Sequence, residues 1–197
     1  FGVPERDYYR PNFFGNTPDI LPFHLQSGAP WVFKARLVLA ATLSANYGIY
    51  NGFELIEHQP IPGKEEYLDS ETYEIKVRDW DRPGNLKSYI RDLNQARHRN
   101  PALLQTNDLR FVEINDEHVI GFIKRSTDGS NTVGVAIALT GDVHEVWFPL
   151  AGTLVEVGGE LKPPVAVENL ITGERLPVQW GGLQLRIDPA RDPALLF

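Results

Sequence analysis

The chain has no cysteine and no methionine, and it carries few basic residues for its length. Without cysteine there are no disulfides and no thiolate metal sites; this fits a reducing compartment, and we predict a cytoplasmic location. The 19 Lys and Arg residues against 26 Asp and Glu give a net charge of −7, with no basic run. This argues against a nucleic-acid partner, since phosphate binding needs clustered cations. No apolar run approaches the length of a membrane span.

Metal ligands and chain ends give two further expectations. The five histidines show no metal-ligand spacing, so we expect neither a metal ion nor another cofactor. The chain opens on FGVPERDYY rather than on methionine and stops on an apolar phenylalanine. We therefore expect it to be a portion of a longer protein.

The first half of the sequence predicts two strand–loop–helix units. Residues 8–14, YYRPNFF, predict a short buried strand, and Pro30 opens an apolar helix that ends around Ser44–Asn46. Residues 48–55, GIYNGFEL, predict a second buried strand. A second helix is predicted over about 85–99, ended by Asn100-Pro101. This order of elements is that of two consecutive β/α units.

The second half changes character after Pro101. Segments such as VIGFIKR, NTVGVAIAL, VHEVWFPL and LQLRI are separated by DG, GD, GG and TG turns, a pattern typical of an antiparallel sandwich. The predicted fold class is thus α/β followed by all-β. We place the boundary near residue 102, with one domain over 1–102 and another over 103–197.

Polar residues cluster where the two predicted strands end. Asn16, Thr17 and Asp19 follow the first strand, while Asn51 and Glu54 lie at the end of the second. In β/α barrels the loops after the strands carry the active site, but a barrel needs eight such units. The position therefore indicates function without fixing the reaction.

Three segments in this order resemble a known family. FFGNTPDIL, then GIYNGFEL, then IRDLNQARHRNPAL before the sandwich are similar to the end of the α-amylase superfamily, glycoside hydrolase family 13. The resemblance implies that 1–102 contains the last two β/α units of a TIM barrel, and that 103–197 is the C-terminal β-sandwich of such enzymes.

A narrower resemblance follows from the residues around the first motif. Where typical amylases have Asn-His-Asp, this chain has Thr17-Pro18-Asp19. RPNFFGNTPDIL and EEYLDSETYEIKVRDWDRPGN are similar to the maltosyltransferase branch, which moves maltosyl units from maltose 1-phosphate onto α-1,4-glucan with retention. Maltose 1-phosphate and α-glucan are then the implied substrates. The missing N-terminal part of the same protein is the implied partner, and a homodimer stays open.

The resemblance also implies roles for single residues. Asp19 corresponds to the carboxylate that stabilises the transition state. Glu71, Tyr73 and Lys76 are candidate contacts to the donor sugar, although solvated loop charges are the more common finding. Glu54 is expected to be a structural carboxylate paired with an arginine. The nucleophile and the general acid of the family lie upstream, so we predict that this chain alone is inactive.

Three other interpretations are open. The chain could come from an amylase or a trehalose synthase, although the missing histidine and the EEYLDSE segment argue against both. It could be a carbohydrate-binding sandwich in which Trp147, Phe148 and Trp180 form a stacking platform, or these rings could belong to the core. A purely structural role is the remaining interpretation, above all for the second half.

Overall fold

The computed structural model describes residues 8–69, 75–106, 108–150, 152–157 and 159–197. Its first part contains β1 (Asn12–Phe14), α1 (Pro30–Leu43), β2 (Asn46–Gly48) and α2 (Lys87–Arg99), with short 3-10 helices at Phe23–Ser27, Phe53–Leu55 and Pro101–Leu104. The second part is built of strands: β3 (Leu109–Val112), β4 (Val119–Arg125), β5 (Thr132–Ala138), β6 (His144–Pro149), β7 (Val155–Val157), β8 (Glu160–Lys162), β9 (Ala166–Glu168), β10 (Arg175–Pro177), β11 (Gly182–Ile187) and β12 (Ala194–Leu196).

A parallel β-α-β unit organises the first part. β1 and β2 pair in parallel, with Asn12 opposite Asn46 and Phe14 opposite Gly48, and α1 connects them. Pro30 occupies the first turn of α1, where a missing N–H costs nothing. The helix has buried side chains on almost every side because it lies between β1, β2 and the sheet that follows. Both predicted helices are confirmed, to within a few residues at their ends.

The predicted strand over 48–55 is wrong in extent. The paired strand is β2, which ends at Gly48, and the chain then turns into the 3-10 helix Phe53–Leu55. Gly52 has φ 98° and Ile56 has φ 55°, and both values belong to the left-handed region, not to extended backbone. The apolar residues Phe53 and Leu55, which favoured a strand in the sequence, are buried, but they belong to the 3-10 helix.

The second part has a central antiparallel sheet with strand order β12-β5-β4-β3. Alternate residues of its strands point to opposite faces. Phe122, Val135 and Ile137 belong to an apolar cluster with α1 and α2, whereas Ile123 and Ala136 belong to a second cluster with β6 and β11. The sheet is therefore a middle layer, with helices on one face and a second sheet on the other.

The predicted antiparallel sandwich is confirmed by this second layer. β6 pairs with β11 from His144–Ile187 to Pro149–Gly182, and the inner side chains of this pair pack on the central sheet. Two small hairpins, β7–β8 and β9–β10, complete the region. The sequence analysis does not predict β8, β10 and β12, because strands of three residues are too short for a visible alternation.

The layer between α1 and the central sheet contains two buried cations. Lys124 is fully buried, and its Nζ donates to the carbonyl oxygens of Thr42 (3.0 Å) and Gln105 (2.5 Å). Arg97 donates to the carbonyls of Ala41 and Ala45. The last carbonyls of a helix have no partner within the helix and attract positive charge, so these cations satisfy the end of α1.

The apolar cluster around α1 includes side chains from both sides of residue 102. The domain boundary at that position stays a prediction. Within the described ranges, no helix combines the length and the hydropathy needed to cross a membrane; the cytoplasmic location also stays a prediction.

Candidate functional site

The candidate site lies at the carboxyl edge of β1 and β2. Because the two strands are parallel, the loops after Phe14 and after Gly48 leave the sheet on the same side. Gly15 continues the pairing with a bond from its N–H to the Gly48 carbonyl oxygen (3.1 Å). The side chain of Arg36, on α1, donates to the carbonyl of Gly15 (2.6 Å). The start of the first loop is thus fixed from the strand side and from the helix side.

Asp19 lies in a tight turn of this loop and is exposed. The N–H of Thr17 donates to the carbonyl of Ile20 (3.4 Å), and the N–H of Ile20 donates to the carbonyl of Thr17 (3.3 Å) and to its hydroxyl (3.1 Å). These bonds close the turn around Asp19. The carboxylate therefore stands on a closed turn and faces outward at the edge where the strands end.

A buried asparagine links three segments of the site. Asn16 is 2% exposed; its Nδ2 donates to the Tyr67 hydroxyl (2.6 Å), and its Oδ1 accepts from the N–H of Tyr50 (2.8 Å). Tyr67 is also buried, and desolvation raises the pKa of its hydroxyl to about 12. The hydroxyl consequently stays neutral across the physiological pH range, and its bond to Asn16 does not titrate there.

Tyr67 belongs to a hairpin that lies against the Asp19 turn. Pro60 pairs with Tyr67, and further bonds join Ile61 N to Glu66 O and Leu68 N to Gln59 O (2.9 Å each). We call residues 59–68 the Tyr67 hairpin. The sequence predicts no element for this segment, because it shows neither a helical nor a strand period.

A cleft of about 290 Å³ opens beside the Tyr67 hairpin, and charged groups line it. Glu57 accepts from Arg78 Nε at 2.7 Å, and Lys76 Nζ lies 3.8 Å from the Glu57 carboxylate. The remaining lining residues are Ile56, His58, Gln59, Tyr67 and Arg82. Arg78 is not a lining residue; the charged and aromatic groups on the wall include Glu57, Lys76, Arg82 and the ring of Tyr67.

The candidate residues named from the sequence have separate outcomes. Asp19 lies where the sequence places it, in the loop after β1, and Lys76 lines the cleft. Glu71 and Tyr73 lie outside the described residues. Glu54 accepts from the N–H of Gly52 (3.0 Å), and among the described residues it is Glu57, three positions later, whose carboxylate pairs with an arginine.

Sequence reasoning missed Asn16 as a buried link, although its position directly after a strand end was the available signal. It also missed the Glu57–Arg78 pair, for which the sequence carries no signal because both residues lie in a region without period. Among the described residues, no group of three His, Cys, Asp or Glu side chains is placed to hold a metal ion.

Of the two alternatives for Trp147, Phe148 and Trp180, the aromatic platform is not formed. Phe148 is fully buried in the sandwich core, Trp147 is half-buried with its ring against Gly182, and Trp180 is 92% exposed at a turn. Three rings in these environments do not make one surface. The carbohydrate-binding interpretation loses the feature on which it rested.

No protein-family model matches the chain, but curated relatives match nearly all of it. The chain is 47% identical over 196 residues to the alpha-1,4-glucan:maltose-1-phosphate maltosyltransferase of Rhodospirillum rubrum. This alignment covers 97% of this chain and 28% of the relative. It is 46% identical over 204 residues to the protein of the same name from Chlorobaculum tepidum, covering 98% of this chain and 30% of the relative. The chain thus spans less than a third of these relatives' length.

Solved structures give the fold. A crystal structure of AmyP in complex with maltose matches 96% of this chain and 40% of its own, with a TM-score of 0.69 at 17% identity. An α-amylase from Geobacillus thermoleovorans complexed with acarbose matches 95% of this chain and 38% of its own, with a TM-score of 0.70 at 13% identity. The resemblance inferred from the motifs is confirmed: the chain is a homologue of one part of the alpha-1,4-glucan:maltose-1-phosphate maltosyltransferases and has an α-amylase-type fold.

Proposed function

We propose that this chain is the C-terminal part of an enzyme that transfers maltosyl units from maltose 1-phosphate to α-1,4-glucan with retention. In this proposal, residues 1–102 supply the last two β/α units of a (β/α)8 barrel, and residues 103–197 form its C-terminal sandwich. The parallel β1–α1–β2 unit and the identity to maltosyltransferases support this architecture. The nucleophile and the acid/base then belong to the part of the enzyme that precedes this chain.

The observation that carries the proposal is the position of Asp19. Its carboxylate is exposed at the carboxyl edge of two parallel strands, on a turn closed by hydrogen bonds. In β/α barrels, residues that act on the substrate come from this edge. A carboxylate that is already oriented here needs no reorganisation when charge develops in front of it.

The chemical role of Asp19 follows from the charge of the transition state. When the bond from the anomeric carbon to phosphate breaks, positive charge grows on that carbon and on the ring oxygen. A fixed carboxylate gains Coulomb energy as this charge grows, so it stabilises the transition state more than the ground state. We assign this role to Asp19 and no bond-making step to it.

The cleft beside the Tyr67 hairpin is proposed to hold part of the substrate. Lys76 lies on its wall and is oriented by Glu57 and by the carbonyl of Leu68 (3.3 Å). An ammonium group here can donate to sugar hydroxyls or to phosphate oxygens. Glu71 and Tyr73, in the same stretch of sequence, stay candidate contacts.

The test uses the intact enzyme with Asp19→Asn, which keeps size and hydrogen-bonding capacity but removes the charge. We expect kcat to fall by about 10²–10³-fold with little change in KM. Asp128→Asn is the matched control: Asp128 organises a surface turn through Ser126 and Ser130, so its loss should leave kcat unchanged. If Asp19 only capped its loop, Asn would replace it well, and kcat within threefold of the parent enzyme would refute the assignment.

Two further measurements test the reaction itself. The intact enzyme should release phosphate from maltose 1-phosphate over many turnovers only when a glucan acceptor is present, with at most about one equivalent per enzyme in its absence, and the 197-residue chain alone should release none. Release of maltose or glucose from the glucan without maltose 1-phosphate would indicate an amylase instead.

A further inference from the structure

The Asp19 turn is held from both sides by the same hairpin. Before the turn, Asn16 donates to the Tyr67 hydroxyl. After the turn, the N–H of Leu21 donates to the Glu65 carbonyl oxygen (2.9 Å), and the N–H of Phe23 donates to the Glu65 carboxylate (2.8 Å). An exposed turn would ordinarily be mobile, but both ends of this one are bonded to residues 65 and 67.

The two attachments differ in kind. After the turn, the Leu21 contact joins two backbones and the Phe23 contact joins a backbone N–H to the side chain of Glu65. The Asn16–Tyr67 contact joins two buried side chains, and it is the attachment that also reaches the second loop, through the N–H of Tyr50. Tyr67 therefore fixes the position of Asn16 relative to both strand ends at once.

We propose that Tyr67 is a positioning residue for the transfer reaction, acting through Asn16 on the orientation of the Asp19 carboxylate. This rests on the proposed function, because it takes Asp19 as the group that faces the developing cation. The carboxylate helps only while it points at the anomeric carbon, and displacements of about 1 Å at such groups cost up to about 10²-fold in rate. The phenol ring of Tyr67 lines the cleft and packs near Tyr50, with ring centroids 5.9 Å apart. Its hydroxyl accepts from Asn16, at the start of the turn.

The first experiment compares Tyr67→Phe with the parent in the intact enzyme. Phenylalanine keeps the ring in the cleft and removes only the oxygen that Asn16 binds. We expect kcat to fall by about tenfold or more, with KM changed by less than twofold, since a buried donor left without its partner will rearrange. Asn16→Ser removes the same contact from the other side and should reduce kcat by a similar factor; the two changes together should cost little more than either alone.

Tyr89→Phe is the matched control. The Tyr89 side chain is partly buried, and its hydroxyl donates to a carboxylate, that of Asp192 (2.9 Å), at the contact between α2 and the end of the sandwich. Its loss should lower the melting temperature but leave kcat unchanged. If Tyr67→Phe and Tyr89→Phe change kcat equally, the hydroxyl of Tyr67 is merely structural and the proposal is refuted.

A double-mutant cycle then tests the route through Asp19. In an enzyme that already carries Asp19→Asn, there is no charge left to orient, so Tyr67→Phe should lower kcat by less than twofold. Full additivity of the two changes would overturn the proposal. Failure of the proposed function has a different signature: the parent enzyme would then show no transfer from maltose 1-phosphate, or Asp19→Asn would leave kcat intact. If Asp19→Asn slows the reaction and Tyr67→Phe does not, only the positioning role fails.

Discussion

Lys124 offers a direct test of how the helical layer meets the sandwich. Its ammonium group has no contact with solvent, and burial lowers its pKa from 10.5 to about 8, with a smaller contribution from the charge of Arg97. The folded state therefore releases the Lys124 proton at lower pH than the unfolded state does. Between these two pKa values the unfolded state binds more protons, so the stability of the chain must rise with pH.

The size of the effect follows from the two pKa values. At pH 7 the amine is charged in both states, and the linkage contribution is close to zero. By pH 9.5 it is mostly neutral in the folded chain and still charged in the unfolded one, which amounts to about 2 kcal/mol of recovered stability. The neutral amine retains N–H groups for the carbonyls of Thr42 and Gln105, so the contacts themselves persist.

The assay is urea unfolding of the chain and of Lys124→Met between pH 7 and 9.5. The difference in free energy of unfolding, parent minus variant, should rise by about 2 kcal/mol across this range, whereas the tyrosines cancel because both proteins contain them. Lys162→Met, at a half-exposed lysine, should give a difference that does not change with pH. A parent-minus-Lys124→Met difference that is equally flat would refute the buried position of the amine, and with it the docking of α1 on the central sheet.

Three further outcomes are expected. Lys76→Met in the intact enzyme should raise KM for maltose 1-phosphate severalfold and change kcat little, because Lys76 lines the cleft; steady-state kinetics would show the reverse pattern if it acted on the transition state. Arg97→Met should lower the free energy of unfolding, measured by urea titration, by about 2–4 kcal/mol, since the carbonyls at the end of α1 lose a buried donor. Arg91→Met, on the exposed side of α2, is the control and should lower it by less than about 0.5 kcal/mol. Gly134→Ala should destabilise by about 1–3 kcal/mol, because an added methyl group would overlap the aromatic ring of the last residue; an unchanged melting temperature would show that this ring moves aside freely.

The predictable parts of this chain are those in which local pattern and tertiary role agree. β4 was predicted over the residues that form it, because its alternation places one face on the helices and the other on the second sheet. α1 was predicted from its proline start and its apolar content. Because it is buried nearly all round, its pattern fixed the extent of the helix but not the face that meets the sheet.

The parts that could not be predicted depend on contacts between distant segments. Lys124 follows an apolar run, a position typical of the polar end of a strand, yet it is buried because carbonyls of Thr42 and Gln105 supply its acceptors. Asn16 and Tyr67 are separated by 51 positions, and neither residue type predicts a hydrogen bond between them. A polar residue is buried only where a partner meets it, and the partner is set by the fold rather than by neighbouring residues.

The distance between bonded residues in the sequence also explains why the resemblance pointed to Asp19 but not to Asn16 and the Tyr67 hairpin, which hold its turn. A short motif preserves the order of residues in a loop, and Asp19 was found because its neighbours in sequence carry the pattern. The backbone of its turn is held by the Tyr67 hairpin, which lies elsewhere in the sequence and is bonded to residues on both sides of the turn. A catalytic carboxylate on an exposed loop can be preorganised only if such bonds exist, because solvent exerts no restraint on its direction. The structure thus supplies for Asp19 what the motif alone could not, a physical reason for the turn that carries this exposed side chain to keep one backbone conformation.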